Sequence, residues 1–148
     1  MIITKRIEWD MGHRIPNHKS VCRNLHGHRY VVEVSLQGEI QNSTGKSDEG
    51  MVMDFGDIKR LLMECVHEPC DHSFMYAKSD SVMVEFFRQN PNFKCIAVEF
   101  VPTAENIAQW IFDQLTPQFA KAYGKQLRLL SVRVWETPSS SAIISLNE

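Results

Sequence analysis

The sequence predicts an α+β fold in which an antiparallel sheet carries helices on one face. Strand-like alternation of apolar and polar residues occurs near both ends of the chain, and apolar residues at helical spacing occur between them. Strands followed by helices and then by a further strand are typical of this class rather than of alternating α/β proteins. The chain has 148 residues, 43% of them apolar, so we expect one domain over residues 1–148.

Alternation predicts a first strand over residues 2–13 and a second over residues 26–37. The apolar residues of one parity form the buried faces: Ile3, Ile7, Trp9 and Met11 in the first strand, and Tyr30, Val32, Val34 and Leu36 in the second. Residues 14–25 form the loop between them, and this loop contains Cys22.

Apolar residues at helical spacing predict three helices. The first begins after Asp54, a good N-cap, and is predicted to end at Pro69. A short helix is predicted over residues 80–90, followed by an extra strand over residues 94–101. The longest helix begins after Thr103 and has a continuous apolar stripe.

Charge and composition exclude several classes of function. The formal net charge is −2, and the 16 basic residues are spread along the chain, so no basic stripe is available for a nucleic acid. No apolar run approaches the roughly 20 residues of a membrane span. The four cysteines lack CxxC spacing. We therefore expect a cytoplasmic protein that binds neither nucleic acid nor membrane.

Three histidines that end the inward faces of the first two strands are the strongest chemical signal. His26 and His28 are two residues apart, so both rings project to one face, and His13 continues the buried parity of the first strand. A single inward histidine is more often a hydrogen-bonded core residue, but three without a common partner would be costly to bury. Three imidazoles with an open fourth position are typical of catalytic zinc. Gly27 between two of them allows another group to approach closely.

Cys22 lies four residues before His26 and has two possible roles. It is either a fourth ligand that closes the site and makes it structural, or a base or nucleophile beside an open metal. A thiol near a metal and Arg23 would have its thiolate favoured. The residues alone favour neither role.

Asp71, His72 and Glu136 give weaker signals. The carboxylate of Asp71 can orient the ring of His72, or the pair can be part of an ordinary surface loop. Glu136 ends the last predicted strand and shares the inward parity of Leu130, Val132 and Val134. Its carboxylate needs a partner. That partner is either a ligand with paired N–H donors, such as a pterin or guanine, or an internal arginine or backbone group.

Five motifs follow one another along nearly the whole chain. They are Cys22-Arg-Asn-Leu-His26-Gly-His28, Gly50-Met-Val-Met-Asp-Phe55, Asp71-His72, Pro102-Thr-Ala-Glu-Asn106 and Val134-Trp-Glu-Thr137. In this order they resemble the motifs of the 6-pyruvoyl-tetrahydropterin synthase and 6-carboxy-tetrahydropterin synthase family.

The resemblance implies a tunnelling fold, in which small sheets from several subunits join into a barrel. It implies a homo-oligomer, a hexamer of two trimers, with sites at subunit interfaces and a pterin as substrate. It implies that the zinc ligands are His13, His26 and His28. The implied proton carriers are Cys22, Asp71 and His72, with the Asp71–His72 pair supplied by a neighbouring subunit. The implied pterin-binding residues are Glu136, Glu105 and Thr103.

The three-residue gap between Cys22 and His26 resembles the carboxy-forming branch, which serves queuosine biosynthesis. The implied reaction converts 7,8-dihydroneopterin triphosphate to 6-carboxy-5,6,7,8-tetrahydropterin and releases acetaldehyde and triphosphate. Lys19, Arg14 or Arg23 are candidates to receive the triphosphate. The alternatives are a 6-pyruvoyltetrahydropterin synthase or related dihydroneopterin-processing enzyme, and a non-catalytic zinc- or pterin-binding module.

Several residues depart from the family pattern, among them the residues after His72, Ser-Phe-Met-Tyr. Trp9 and Met11 stand where the family commonly has phenylalanine and alanine, and Cys70 replaces the usual leucine. We expect these residues to line or border the pocket, and so to bear on the substrate more than on the fold.

Overall fold

The computed structural model of the protein describes residues 1–146. Its strands are β1 (Ile2–His13), β2 (His26–Gly38), β3 (Ser73–Ala77), β4 (Cys95–Val98), β5 (Leu127–Thr137) and β6 (Ser140–Ser145). They form one sheet in the spatial order β4-β3-β1-β2-β5-β6. Strands β1, β2, β5 and β6 pair antiparallel, whereas β3 runs parallel to both β1 and β4. The predicted antiparallel sheet is therefore the larger part of a mixed sheet.

The helices are α1 (Phe55–Leu62), α2 (Glu68–Cys70), α3 (Ser81–Gln89) and α4 (Ala104–Tyr123). Asp54 and Thr103 are the N-caps of α1 and α4, as predicted, and each accepts a hydrogen bond from a first-turn backbone N–H. The prediction that Pro69 ends the first helix is wrong. A π-helical turn, Met63–His67, continues α1, and Pro69 lies within the short helix α2 that follows directly.

Helices α1 and α4 cover one face of the sheet, as predicted. Their apolar sides and the inward faces of β1, β2 and β5 form one hydrophobic core. The short helix α3 packs elsewhere: Met83 and Phe87 contact Tyr76, which alternates with the core residue Met75 along β3. Helix α3 therefore covers the opposite face at this edge of the sheet.

A β-bulge in β5 changes which residues face the core. Ser131 pairs with Ser35 and Leu129 pairs with Leu36, so Leu130 is the extra residue. Leu129 is buried and Leu130 is half-buried. The prediction that Leu130 faces inward is wrong, because strict alternation does not hold across a bulge.

The predicted short helix and extra strand are confirmed as α3 and β4. Strands β3 and β6 were not predicted, since β3 is short and β6 is rich in serine. Among residues 1–146, no helix is long and apolar enough to cross a membrane.

Candidate metal centre and active site

His13, His26 and His28 meet where β1 ends and β2 begins. In the β1–β2 ladder His13 lies directly opposite His26, and Met11 lies opposite His28. One ligand nitrogen from each ring lies within 4.8 Å of the other two, and the ring centroids are 4.6–5.1 Å apart. The structure therefore brings the three predicted ligands into a group that could hold a metal ion.

Hydrogen bonds on the far side of two rings fix which nitrogen faces this centre. Nδ1 of His13 lies 2.7 Å from the carbonyl oxygen of Pro102, and Nδ1 of His26 lies 2.8 Å from that of Asn24. A carbonyl only accepts, so both Nδ1 atoms carry the proton and donate it. Both Nε2 atoms are then left with a lone pair, which is the arrangement found in metal-bound histidines.

The residues present fit a metal ion on two counts. Nε2 of His13 and Nε2 of His28 are buried and have no hydrogen-bond partner among the described residues. Burial and the neighbouring His26 and His28, opposed by the hydrogen bond to Pro102, together lower the pKa of His13 to about 4. Burial also lowers the pKa of His28, against the raising effect of Glu136. Both shifts favour the neutral form of the His13 and His28 rings, which is the form that binds a metal.

Cys22 lies in the loop before His26 and is not part of this group. The thiol is half-buried in a 3₁₀ turn, Val21–Arg23, and the backbone N–H of Ile15 donates to the Cys22 carbonyl over 2.8 Å. Within residues 1–146, the set of mutually close ligand atoms contains the three histidines and not Cys22. This geometry favours a site whose fourth position stays open over one closed by the thiolate.

The carboxylate of Glu136 faces the same centre. Oε1 lies 3.7 Å from Nε2 of His28, and Oε2 lies 4.0 Å from Nε2 of His13. Within the described part of the chain, neither an arginine nor a backbone N–H donates to this carboxylate. The internal partner considered for Glu136 from the sequence is therefore not found.

The N-terminal end of α4 reaches the centre through Pro102, whose carbonyl binds His13. Thr103 follows it, and the Thr103 hydroxyl accepts a 3.3 Å hydrogen bond from the N–H of Asn106. Glu105 is exposed in the first turn of α4. Thr103 and Glu105, the two predicted pterin-binding residues of this segment, therefore follow closely after Pro102, which binds His13. The Thr103 hydroxyl already serves as the N-cap of α4.

Sequence reasoning missed two supporting groups. One is the carbonyl of Pro102, which no side-chain pattern could have revealed. The other is the hydroxyl of the fully buried Tyr30, 3.2 Å from Nδ1 of His13. Tyr30 has the same strand parity as His26 and His28, so parity could have identified it.

Asp71 and His72 form the predicted hydrogen-bonded pair, but this pair is not part of the histidine group. Nδ1 of His72 lies 2.8 Å from Oδ2 of Asp71, and the backbone N–H of Asp10 donates to Oδ1 over 3.1 Å. That backbone bond, followed by the bond from His72, lowers the pKa of Asp71. The His72 side chain is 78% exposed and lines a shallow surface depression with Asp10 and Arg29. Within one chain the structure does not bring this pair into the histidine group.

Two expectations concern residues near the histidine group. Arg14 makes a bidentate ion pair with Asp80, so its guanidinium is not free to receive a triphosphate. Trp9, Met11 and Cys70 are at most 3% exposed and belong to the hydrophobic core. Met11, which lies opposite His28, also borders the surface depression that His28 and His72 line, as expected. That Trp9 and Cys70 border the pocket stays a prediction.

The close approach expected at Gly27 is made by the protein itself. A Cβ at this position would lie 2.9 Å from the carbonyl oxygen of Met11 on β1. Gly27 lies opposite Gly12 in the ladder, so the two strands come together between the histidines. The glycine therefore allows the strand contact that aligns the ligand rings.

Comparison of the sequence with known proteins identifies relatives that all bear tetrahydropterin synthase names. The family model for 6-pyruvoyl tetrahydropterin synthase matches residues 2–147. A protein of Haemophilus influenzae named 6-carboxy-5,6,7,8-tetrahydropterin synthase is 36% identical over 140 residues, covering 93% of this chain and 94% of its own. The protein of the same name from Aquifex aeolicus is 32% identical, covering 95% of this chain and 94% of its own.

Solved structures show the same fold. An uncharacterized protein of Wolinella succinogenes superposes with a TM-score of 0.76 at 24% identity, covering 99% of each chain. The 6-pyruvoyl tetrahydropterin synthase of Caenorhabditis elegans superposes with a TM-score of 0.68 at 24% identity, covering 99% of this chain and 96% of its own. The predicted tunnelling-fold architecture is thereby confirmed for the chain, and assembly into a barrel stays a prediction.

Proposed function

The chain belongs to the 6-pyruvoyl tetrahydropterin synthase family, and from this premise we propose that it is a zinc-dependent lyase of the 6-carboxy-forming branch. Its reaction converts 7,8-dihydroneopterin triphosphate to 6-carboxy-5,6,7,8-tetrahydropterin and releases acetaldehyde and triphosphate. The observation that carries the proposal is the pair of buried, unpartnered Nε2 atoms of His13 and His28 beside His26. The choice of product rests on the names of the relatives and on the Cys22–His26 spacing.

Zinc is the metal that the donor set suits best. Three neutral imidazoles are typical of catalytic zinc, whereas magnesium and calcium prefer oxygen ligands. When bound, zinc supplies a Lewis acid that polarises the oxygens of the substrate side chain. His13 and His26 are held in the right tautomer by Pro102 and Asn24 before any metal arrives.

Glu136 is the proposed anchor for the pterin ring. A pterin presents a ring N–H and an adjacent amino group, and a carboxylate can accept from both at once. The lack of an internal arginine or backbone donor among the described residues leaves the Glu136 oxygens available for this role. Thr103 and Glu105, on the neighbouring end of α4, are proposed to contact the edge of the ring.

Cys22 and the Asp71–His72 pair are the proposed proton carriers. The Cys22 thiol lies in the loop that ends at His26, and as a thiolate it would take a proton from the substrate side chain. In the Asp71–His72 pair the carboxylate holds Nδ1, which leaves Nε2 to exchange a proton. The exposure of His72 suits a group that acts on a neighbouring subunit's site.

Assembly into a homo-hexamer of two trimers would complete these sites. Strands β4 and β6 are the two edges of the sheet, and their outer backbone groups have no ladder partner within the described chain. Unpaired edges of this kind are commonly satisfied by pairing with another chain. The same assembly would bring a partner's Asp71–His72 pair to the histidine centre.

The two candidate products share the loss of triphosphate and differ in one carbon–carbon bond. The 6-pyruvoyl product keeps a three-carbon side chain with two adjacent carbonyls. Breaking the bond between those carbonyl carbons consumes one water. The hydroxyl joins the ring-bound carbon to give a carboxylate, and the hydrogen joins the two-carbon fragment to give acetaldehyde.

The test is to incubate zinc-loaded protein with 7,8-dihydroneopterin triphosphate and to measure acetaldehyde, triphosphate and the pterin product by mass spectrometry. Equal amounts of acetaldehyde and 6-carboxytetrahydropterin support the proposal. Triphosphate release without acetaldehyde would favour the 6-pyruvoyl alternative. Binding of pterin without any product would favour a non-catalytic module.

A further inference from the structure

Arg14 and Asp80 form a buried, bidentate ion pair between distant parts of the chain. Nε of Arg14 lies 2.6 Å from Oδ2 of Asp80, and Nη2 lies 2.8 Å from Oδ1. The Asp80 side chain is 2% exposed and the Arg14 side chain 18% exposed. Paired N–H donors on a carboxylate fix both distance and orientation. The pair therefore defines one relative placement of the two segments that carry it.

Asp80 is anchored on its own side. It is the N-cap of α3, and its Oδ1 accepts from the backbone N–H of Met83 over 3.3 Å. Its backbone N–H donates to the carbonyl of Ala77, the last residue of β3, over 2.9 Å. Asp80 is thus held by a helix and a strand at once.

Arg14 is joined on its side to the backbone around Cys22. Its Nη1 donates a long hydrogen bond, 3.4 Å, to the carbonyl of Arg23. The next residue, Ile15, donates its N–H to the carbonyl of Cys22 over 2.8 Å. Arg14 and Ile15 therefore bind the backbone of the turn that carries the thiol, at Arg23 and at Cys22.

We infer that the Arg14–Asp80 pair positions Cys22 by tying its loop to the junction of β3 and α3. This inference rests on the proposed function, in which Cys22 carries a proton at the histidine centre. A small displacement of a reacting group is enough to lower turnover severely. Since a buried ion pair adds little net stability over an apolar pair, placement of the loop is the stronger reason for its presence.

The test uses two variants and a matched control. Arg14→Lys keeps the charge and loses the bidentate geometry, and Asp80→Asn keeps a capping oxygen and loses the charge. The control is Glu85→Gln, which breaks the bidentate pair of Glu85 with Arg88 on the exposed side of α3. Each protein is assayed for kcat, KM, zinc content, and the rate of Cys22 alkylation by iodoacetamide, followed by peptide mass spectrometry.

We expect kcat to fall about tenfold or more in Arg14→Lys and Asp80→Asn, with zinc content unchanged. KM should change by only about twofold, because substrate contacts remain. Cys22 should be alkylated several-fold faster as its loop loosens, while the rates at Cys65 and Cys95 stay as in the wild type. Glu85→Gln should match the wild type in every measurement.

Wild-type kcat and wild-type Cys22 alkylation in both variants would overturn the inference. A loss of kcat that follows loss of zinc would also overturn it, because Arg14 would then act through His13. Arg14→Lys leaves the cap of α3 intact, so it carries the test if Asp80→Asn does not fold. If the wild-type protein forms no product, the proposed function fails, while the alkylation rates still decide whether the pair holds the loop.

Discussion

Nε2 of His28 lies 3.7 Å from Oε1 of Glu136, with no hydrogen bond between them. Burial lowers the pKa of His28, and its Nε2 has no hydrogen-bond partner among the described residues, where the carboxylate likewise has no protein donor. Glu136 is therefore placed either to complete a metal's coordination or to receive a substrate held beside the metal. Substitution can separate these two roles.

Glu136→Gln should keep zinc at the wild-type level and lower kcat/KM about 10–150-fold. The glutamine amide places an NH2 donor against an N–H group of the pterin, so one hydrogen bond is lost. A hydrogen bond to a charged group contributes about 1.5–3 kcal/mol. Steady-state kinetics and zinc analysis check this, with Glu33→Gln, on the outer face of β2, as the control. A substantial loss of zinc would mean that Glu136 is a ligand.

Cys22→Ala should keep zinc and lose turnover by about 10²–10⁴-fold, the usual contribution of a positioned acid or base. The thiol lies outside the group of mutually close ligand atoms, so removing it leaves three imidazoles in place. Metal analysis and a product assay are run in parallel, with Cys95→Ala as the matched thiol control. Zinc loss in Cys22→Ala would instead indicate a closed structural site.

His26→Ala should lose both zinc and activity. Two imidazoles remain, and the expected fall in zinc affinity exceeds the roughly 10–100-fold that follows loss of a ligand's supporting hydrogen bond. Competition with a zinc-binding dye gives the affinity. His18→Ala is the control, because His18 lies in the loop that precedes His26 and its ring accepts from the N–H of Ser20. Equal zinc affinity in both variants would remove His26 from the ligand set.

Much of the site could be predicted because it lies on long strands. In β1 and β2 side chains alternate strictly, so the shared parity of His13, His26 and His28 predicted that the rings converge. The pairing of His13 with His26 follows from the same ladder. Glu136 was identified from the parity of Val132 and Val134, and it faces the centre although a second register shift in β5, between Trp135 and Thr137, leaves it without a partner on β6.

The rest depended on contacts that leave no periodic pattern. The bulge at Leu130 shifts a strand face because of local backbone geometry. The carbonyl of Pro102 binds His13 across 89 positions of sequence, and the Arg14–Asp80 pair spans 66. Such partners become visible only when the fold brings them together. In the proposed hexamer, the placement of Asp71 and His72 at a histidine centre would depend in addition on other subunits.

Gly27→Ala should weaken zinc binding about tenfold and destabilise the protein by about 1–3 kcal/mol, the usual cost of overpacking. The new Cβ would lie 2.9 Å from the backbone oxygen of Met11, so β1 and β2 must separate between the ligands. Urea unfolding and zinc competition measure the two effects. Ser35→Ala, farther along β2, is the control. Unchanged zinc affinity would show that the strands adjust without moving the rings.

Asp80→Asn should make the protein less stable at neutral pH but less sensitive to acid. Burial disfavours the charged carboxylate, but the hydrogen bonds from Arg14 and Met83 outweigh it and hold the pKa of Asp80 below its usual 3.8. The unfolded chain therefore binds the proton more readily, so the contribution of Asp80 is complete above about pH 4 and is lost as the pH falls below it.

Urea unfolding at pH 7 and pH 3 measures this effect. At pH 7 the variant should lose about 1.5–3 kcal/mol of unfolding free energy, the range for a hydrogen bond to a charged group. At pH 3 the difference from the wild type should be smaller. Glu85→Gln, on the exposed side of α3, should change the unfolding free energy little at either pH. If the unfolding free energies of Asp80→Asn and the wild type differed by the same amount at pH 7 and pH 3, the pair with Arg14 would not be what keeps Asp80 charged.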